Sequence, residues 1–204
     1  MPISSLSLPD VSHLEVEDAK QVLRRHIREH RKQRSDSARG NMAVQWAETV
    51  KEFVGDAQTV AAYVSIKEEP PTSAVCEALA GKNLLLPKLG PGLSRAWGWY
   101  RGASDLSVQA PSRPPEPSGE ALDSSILETV DVLIIPALAV SEYGERLGQG
   151  GGWYDRVLKE VSPHTRVGAM VFPEEFIEGH LPQEPMDVRI GWVIHPKKIR
   201  EIEK

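Results

Sequence analysis

The chain has 204 residues, 40 % of them hydrophobic, a formal net charge of −5 and a single cysteine, Cys76. That length and apolar content suffice for one sizeable core, while the acidic balance offers no global field for nucleic acid or an anionic membrane. One cysteine excludes an internal disulfide and a cysteine-rich metal site, and no apolar run is long enough to cross a bilayer.

Met1 to Leu14 is interrupted by Pro2, Pro9, Asp10 and several serines. It lacks the apolar centre of a signal peptide, so a flexible tail over residues 1–14 and a single domain over 15–204 are expected, in a cytoplasmic protein. From about Glu15 to Arg34 the residues suit a helix, with Lys20, Arg24, Arg25, Arg28, Arg31, Lys32 and Arg34 beside a modest stripe of Val22, Leu23 and Ile27. Lys20 and Arg24 are four apart and share a face. The residues alone leave three readings open: a solvated charged helix, a nucleic-acid-binding arm, or cations that reach a bound phosphate.

Met42 to Phe53 carries Val44, Trp46, Ala47, Val50 and Phe53 at helical spacing. Thr59 to Val64 is β-branched and apolar and predicts a buried strand. A loop from Ser65 follows, and Thr72 is placed to cap a helix through Leu79. Asn83 to Pro87 and Ala96 to Tyr100 read as further strands, the second with Trp97 and Trp99 on one face. The proline-rich Gln109–Gly119 stretch is a loop, Asp131 to Pro136 the central strand, and Trp153 to Val161 a helix. Arg166 to Phe172 and Ile190 to Ile194 complete the strands. Short apolar strands alternating with helical segments imply an α/β fold, a largely parallel or mixed central sheet flanked by helices in a Rossmann-like three-layer sandwich. Ligands in such sheets sit beyond the strand C-terminal ends, where the Ser65 loop, the Pro87 turn and the loop after the central strand would meet.

That last loop carries the chemistry. Gly148, Gly150, Gly151 and Gly152 occupy four of five positions between the strand and the helix from Trp153. Glycine lets backbone N–H groups approach a ligand, and a helix N-terminus adds unpaired donors and partial positive charge. The pattern suits an anion such as phosphate, with Arg146 as a planar cation and Asp155 in the first helical turn, placed to hold a metal riding on the phosphates. A plain strand-to-helix turn is the competing reading. The spacing matches neither the Gly-Lys-Ser/Thr loop nor the dinucleotide-binding turn.

The run Gly144-Glu145-Arg146-Leu147-Gly148-Gln149-Gly150-Gly151-Gly152-Trp153-Tyr154-Asp155-Arg156-Val157-Leu158, preceded by Ile135-Pro136-Ala137-Leu138-Ala139, resembles the signature of the 5-formyltetrahydrofolate cyclo-ligase family. Lys20-Gln21-Val22-Leu23-Arg24 resembles that family's first-helix motif. Ser65 with Glu69-Pro70-Pro71-Thr72, Leu86-Pro87, Glu116-Pro117 and Leu181 to Val188 resemble further family segments, so the likeness spans about Lys20 to Pro196. The resemblance implies ATP- and Mg²⁺-dependent closure of 5-formyltetrahydrofolate, a reduced folate, to 5,10-methenyltetrahydrofolate with release of ADP and phosphate. No nucleic-acid or membrane partner is expected, and the protein should act as a monomer.

Site roles follow from the same resemblance. Arg146 and Lys20 are the expected catalytic cations. ATP would lie against Lys20, Gln21, Val22, Leu23, Arg24, Arg146, Leu147, Gly148, Gln149, Gly150, Gly151, Gly152, Trp153 and Tyr154. The folate would lie against Ile66, Glu69, Pro71 and Tyr154, and Mg²⁺ on Asp155 and Asp187. Arg156 either faces the phosphates or caps the acidic cluster. The six histidines show no metal-ligand spacing. Three departures from the family pattern stand out. Met186 replaces a usual histidine, Glu142 stands near a usual aspartate, and Pro70-Pro71 alters the folate loop, so a catalytically divergent member that binds nucleotide or folate without turnover is the alternative.

Overall fold

A computed structural model describes residues 6–111 and 113–203; the first five residues of the expected tail lie outside them. The chain forms α1 (Val16–Lys32), α2 (Asp36–Val54), β1 (Thr59–Ala61), α3 (Ser73–Ala78), β2 (Asn83–Leu89) and β3 (Arg95–Trp99). Short strands β4 (Leu106–Ser107) and β5 (Glu116–Pro117) follow, then β6 (Val132–Pro136), β7 (Ala139–Ser141), β8 (Arg146–Leu147) and α4 (Trp153–Glu160). The chain ends with β9 (Arg166–Met170), β10 (Phe176–Ile177), β11 (Trp192–His195) and β12 (Lys198–Glu201). No described helix is long and apolar enough to cross a membrane.

Seven strands form one sheet in the order β12-β11-β9-β6-β1-β2-β3, parallel from β11 to β2 and antiparallel at both edges. The architecture is the expected mixed, mostly parallel sheet between helices. The middle stretches of its inner strands are apolar because both faces are covered, with polar residues such as Asn83, Arg166 and His195 at the strand ends. Alternation then sorts the side chains: Val60, Leu84, Leu86, Val132, Ile134, Met170 and Ile194 pack with α2 and α3. Ala61, Leu85, Leu133, Ile135, Ala169 and Val193 pack on the other face with α4.

Some elements differ in extent from the sequence reading. α2 starts at Asp36 because the Ser35 hydroxyl accepts from the Ala38 amide and caps it; the apolar periodicity begins only where the helix reaches the sheet. β12 has no apolar run because it is a polar edge strand, hairpinned onto β11. A separate sheet in the order β10-β7-β8 carries the chain from the central strand toward the glycines. Its Ala139 and Leu147 pack with Leu23 and Ile27 of α1, and Leu6, Leu8 and Val11 cover that cluster.

α1 is unusual in what it buries. Lys20, Arg24 and Arg31 are 3 %, 6 % and 2 % exposed. Arg31 donates to both carboxylate oxygens of Glu175, at 2.7 and 2.8 Å, and to the Ala137 carbonyl at 2.7 Å. Burial alone would lower the Arg31 pKa; the bonds and charge of Glu175 outweigh it and leave the guanidinium more firmly protonated than usual. Glu175 also accepts from the Phe172 amide at 2.9 Å. Removing one member of such a pair strands the other's charge, typically at a cost of about 3–5 kcal/mol. We therefore expect Glu175→Gln to lower the urea midpoint by a stability loss in that range at an unchanged denaturant slope, whereas a surface pair would cost under about 1 kcal/mol.

Candidate functional site

The strand order reverses around β1: the chain moves outward to β2 and β3, then returns to β6 on the other side. A crevice beyond the strand C-terminal ends is expected at such a switch point. A cleft of about 470 Å³ lies there. Tyr63 and Val64 after β1, Pro87 of β2 and Pro136 of β6 form its floor, and the whole run Gly148–Asp155 forms one wall.

The glycine wall is shaped from behind by α1. Arg24 Nε donates to the Gly148 carbonyl at 3.0 Å, and Arg28 donates to the Gln149 carbonyl at 2.8 Å. A trans peptide points its N–H opposite its C=O. Carbonyls drawn toward α1 therefore turn the amides of Gln149 and Gly150 away from it. Among the described residues, the amides of Gly148 to Gly152 donate to no other group of the chain. Unpaired amides of this kind, followed by the N-terminus of α4, form an anion-binding concavity.

Two glycines of the loop lie against guanidinium groups. A Cβ at Gly148 would stand 2.6 Å from Arg146 Nη1, so that guanidinium would have to shift to admit one. Gly150 has φ +97° and faces the Arg24 guanidinium, where a Cβ would stand 3.4 Å from Cζ. Arg146 is 7 % exposed and paired with Asp155 across the first turn of α4.

Opposite the loop, Glu69 is buried, accepting from the Ile66 amide and from Gln149 Nε2, each at 3.1 Å. The second contact ties the two walls together. Burial pushes the Glu69 carboxyl up, and the hydrogen bonds only partly oppose this. Desolvation, then the nearby Glu69 charge, also raises the hydroxyls of Tyr63 and Tyr154. Tyr63 donates to the Pro70 carbonyl at 3.2 Å, and the Ser65 amide donates to the Thr72 hydroxyl at 2.9 Å, so the loop between them is pinned at both ends.

The structure divides the residues singled out by sequence. Arg146, Gly148 to Asp155, Ile66 and Glu69 share the cleft. Arg24 reaches the loop from behind it. Lys20 instead donates to Asp187 at 2.5 Å and Glu184 at 2.9 Å. Its desolvation is outweighed by those two carboxylates, which leave its pKa raised. Asp187 is thus engaged by Lys20, while Asp155 is engaged by Arg146. Leu23 and Leu147 are buried in the cluster under α1, Gln21 donates to Glu17, and Val22 and Pro71 lie outside the cleft lining. Sequence reasoning gave no role to Glu116, a buried cleft-lining carboxylate that accepts from the Leu89 amide at 3.1 Å. It also passed over Arg28, although four-residue spacing from Arg24 was a usable signal.

Comparison with known proteins identifies the family and the fold. A model of the 5-formyltetrahydrofolate cyclo-ligase family matches residues 16–196. The 5-formyltetrahydrofolate cyclo-ligase of Mycolicibacterium smegmatis is 35 % identical over 148 residues, 69 % of this chain and 75 % of the relative. That of Escherichia coli is 35 % identical over 150 residues, 71 % of this chain and 81 % of the relative. The solution structure of Aquifex aeolicus 5,10-methenyltetrahydrofolate synthetase superposes with a TM-score of 0.75 at 27 % identity, covering 91 % of this chain and 93 % of the other. The Mycoplasma pneumoniae synthetase shares the fold, with a TM-score of 0.65 at 19 % identity over 86 % of this chain and 97 % of the other. The chain belongs to the 5-formyltetrahydrofolate cyclo-ligase family, and is an enzyme of the ligase class.

The raised pKa of Glu69 has a stability consequence. A carboxyl whose folded pKa lies above its unfolded value stabilises the fold at pH below the unfolded value, and that contribution disappears as pH rises through the folded value. At pH 7 Glu69 is therefore a burden on the free protein, because the unfolded chain ionises it more readily than the fold does. Glu69→Gln should raise the thermal midpoint at pH 7 by the equivalent of about 1 kcal/mol, the usual scale for a stabilising change at a functional site. The two proteins should converge near pH 4, as differential scanning calorimetry can show.

Proposed function

We propose that the protein catalyses ATP-dependent cyclisation of 5-formyltetrahydrofolate to 5,10-methenyltetrahydrofolate, with release of ADP and phosphate. One observation carries this reading. The unpaired amides of the glycine loop and the buried carboxylate Glu69 line a single cleft, joined by the Gln149–Glu69 bond. An anion and a donor-rich ring can therefore lie side by side.

On the phosphate side, the amides from Gln149 to Trp153 hold phosphate oxygens, and Arg146 offsets charge with the planar fork that suits them. Arg24 keeps the loop carbonyls turned away and adds positive potential behind it. Lys20, one turn before Arg24, joins the phosphates by exchanging its bonds to Asp187 and Glu184. On the folate side, Glu69 accepts from the donor edge of the pterin beside the Ile66 backbone, and Tyr154 and Trp153 offer flat surfaces; Pro71 supports the loop that carries Glu69. The formyl oxygen attacks the γ-phosphorus as the bond to ADP breaks. N10 then closes on the activated carbon, its proton is lost, and phosphate departs. Positioning and charge stabilisation are what such a transfer needs from the protein.

Magnesium, when bound, supplies charge neutralisation at phosphate oxygens. Among the described residues no three His, Cys, Asp or Glu side chains form a metal cage. This fits an ion that keeps its waters and takes one or two carboxylates plus phosphates. Asp155, half-exposed in the cleft wall, supplies one carboxylate, and Asp187 a second once Lys20 releases it. The net charge of −5 supports small-molecule rather than nucleic-acid chemistry. Met186 is exposed and outside the cleft lining, while Pro70 and Pro71 lie in the loop after Glu69; absent turnover with intact ATP or folate binding would select a member that binds without turnover.

The test is the absorbance of the methenyl product after mixing protein, 5-formyltetrahydrofolate, Mg²⁺ and ATP. We expect growth that requires ATP, and a fall of about 10²–10³-fold in kcat for Arg146→Ala, the scale of losing one transition-state donor. Asp155→Ala should lose a comparable factor and respond more weakly to added Mg²⁺. A flat trace from folded wild-type protein would overturn the assignment.

A further inference from the structure

Three cations line the cleft: Lys88, Arg113 and Arg146. Arg146 is paired with Asp155, and the Lys88 ammonium donates to the Pro117 carbonyl. The Arg113 side chain makes no hydrogen bond or ion pair among the described residues, although its backbone amide is tied to the Ala110 carbonyl at 3.2 Å. A guanidinium turned into a ligand cleft without a protein partner is placed to meet an anion on the ligand.

The segment that carries Arg113 is held in place. Pro114 and Pro115 follow it and fix two backbone torsions. Glu116 and Pro117 then pair with β4, Glu116 accepts from the Leu89 amide, and Lys88 grips the Pro117 carbonyl. β5 packs on β2 and β3. Leu93, 69 % exposed, also lines the cleft, and with Pro114 and Pro115 it adds apolar surface there.

Sheet order sets the order of these groups along the cleft. The glycine loop belongs to the β6 side, Glu69 follows β1, and Arg113 sits by the β2–β3 edge. A ligand spanning them meets unpaired amides, then a buried acceptor, then an apolar shelf, then a cation. The folate reading proposed above, on which this inference rests, supplies a match: pterin on the acceptor, p-aminobenzoyl ring on the shelf, glutamate carboxylates at the end. We propose that Arg113 anchors the glutamate tail of the folate through a guanidinium–carboxylate pair, and so makes the enzyme selective for the glutamate-bearing substrate.

The experiment compares 5-formyltetrahydrofolate with 5-formyltetrahydropteroate, which lacks the glutamate, in wild type, Arg113→Ala and Arg113→Lys. Wild type should show a KM on the order of tenfold lower for the glutamate-bearing compound, the scale of one charge-assisted pair. Arg113→Ala should raise that KM to the pteroate value while the pteroate KM, the ATP KM, the thermal midpoint and kcat stay near wild type. Arg113→Lys should recover part of the preference. Equal KM values for the two compounds in wild type, or an Arg113→Ala effect on both or on ATP, would overturn the anchor while leaving the folate reading intact. Wild-type protein that turns over neither compound would remove the folate reading, and this anchor with it.

Discussion

The structure depends on the need of buried cations for partners. Three basic side chains of α1 are nearly inaccessible to water, and a buried charge without a partner is among the costliest features a fold can contain. α1 can therefore dock only where carbonyls and carboxylates converge. That place is the C-terminal end of the sheet, where Ala137, Gly148, Glu175 and Asp187 supply acceptors. Docking there fixes the orientation of the glycine loop, because peptides whose carbonyls face the helix present their amides to the opposite side. One set of electrostatic demands thus both anchors a helix and forms an anion cradle.

The two walls of the cleft show different solutions to burying charge. Arg146 and Asp155 neutralise each other at the entrance to α4. Among the described residues Glu69 has no cation bonded to it, and burial pushes its pKa upward. Such a group is expensive in the free protein and valuable to a ligand that brings hydrogen-bond donors. Lys20 and Asp187 represent a third case, in which two groups assigned to ligands hold each other. Their bond keeps both charges satisfied in the free protein and must open if both are to serve the nucleotide and its metal.

Much of the fold was legible in the sequence because its signals are local. Val132 to Pro136 reads as a buried strand from composition alone, and four glycines in five positions announce a loop with backbone work to do. The family likeness rested on the same local runs. What escaped notice depends on contacts distant in sequence. Nothing in Glu175 indicates that Arg31, 144 positions earlier, will need it. The pairing of Lys20 with Asp187 was invisible for the same reason, and the sequence reading sent both directly to the ligands. β12 was missed because a polar edge strand has no apolar alternation, and Glu116, noted only within a family-like Glu-Pro pair, gained no role because a glutamate in a proline-rich loop looks solvated until β2 is beside it.

The central claim is that one cleft holds the formyl oxygen against the γ-phosphate, so that oxygen passes directly between the two ligands. The most direct measurement follows an ¹⁸O label placed in the formyl group during ATP-dependent turnover. The account predicts one ¹⁸O atom in each inorganic phosphate released, read by mass spectrometry, and none in water. Methenyl product formed with unlabelled phosphate would contradict it.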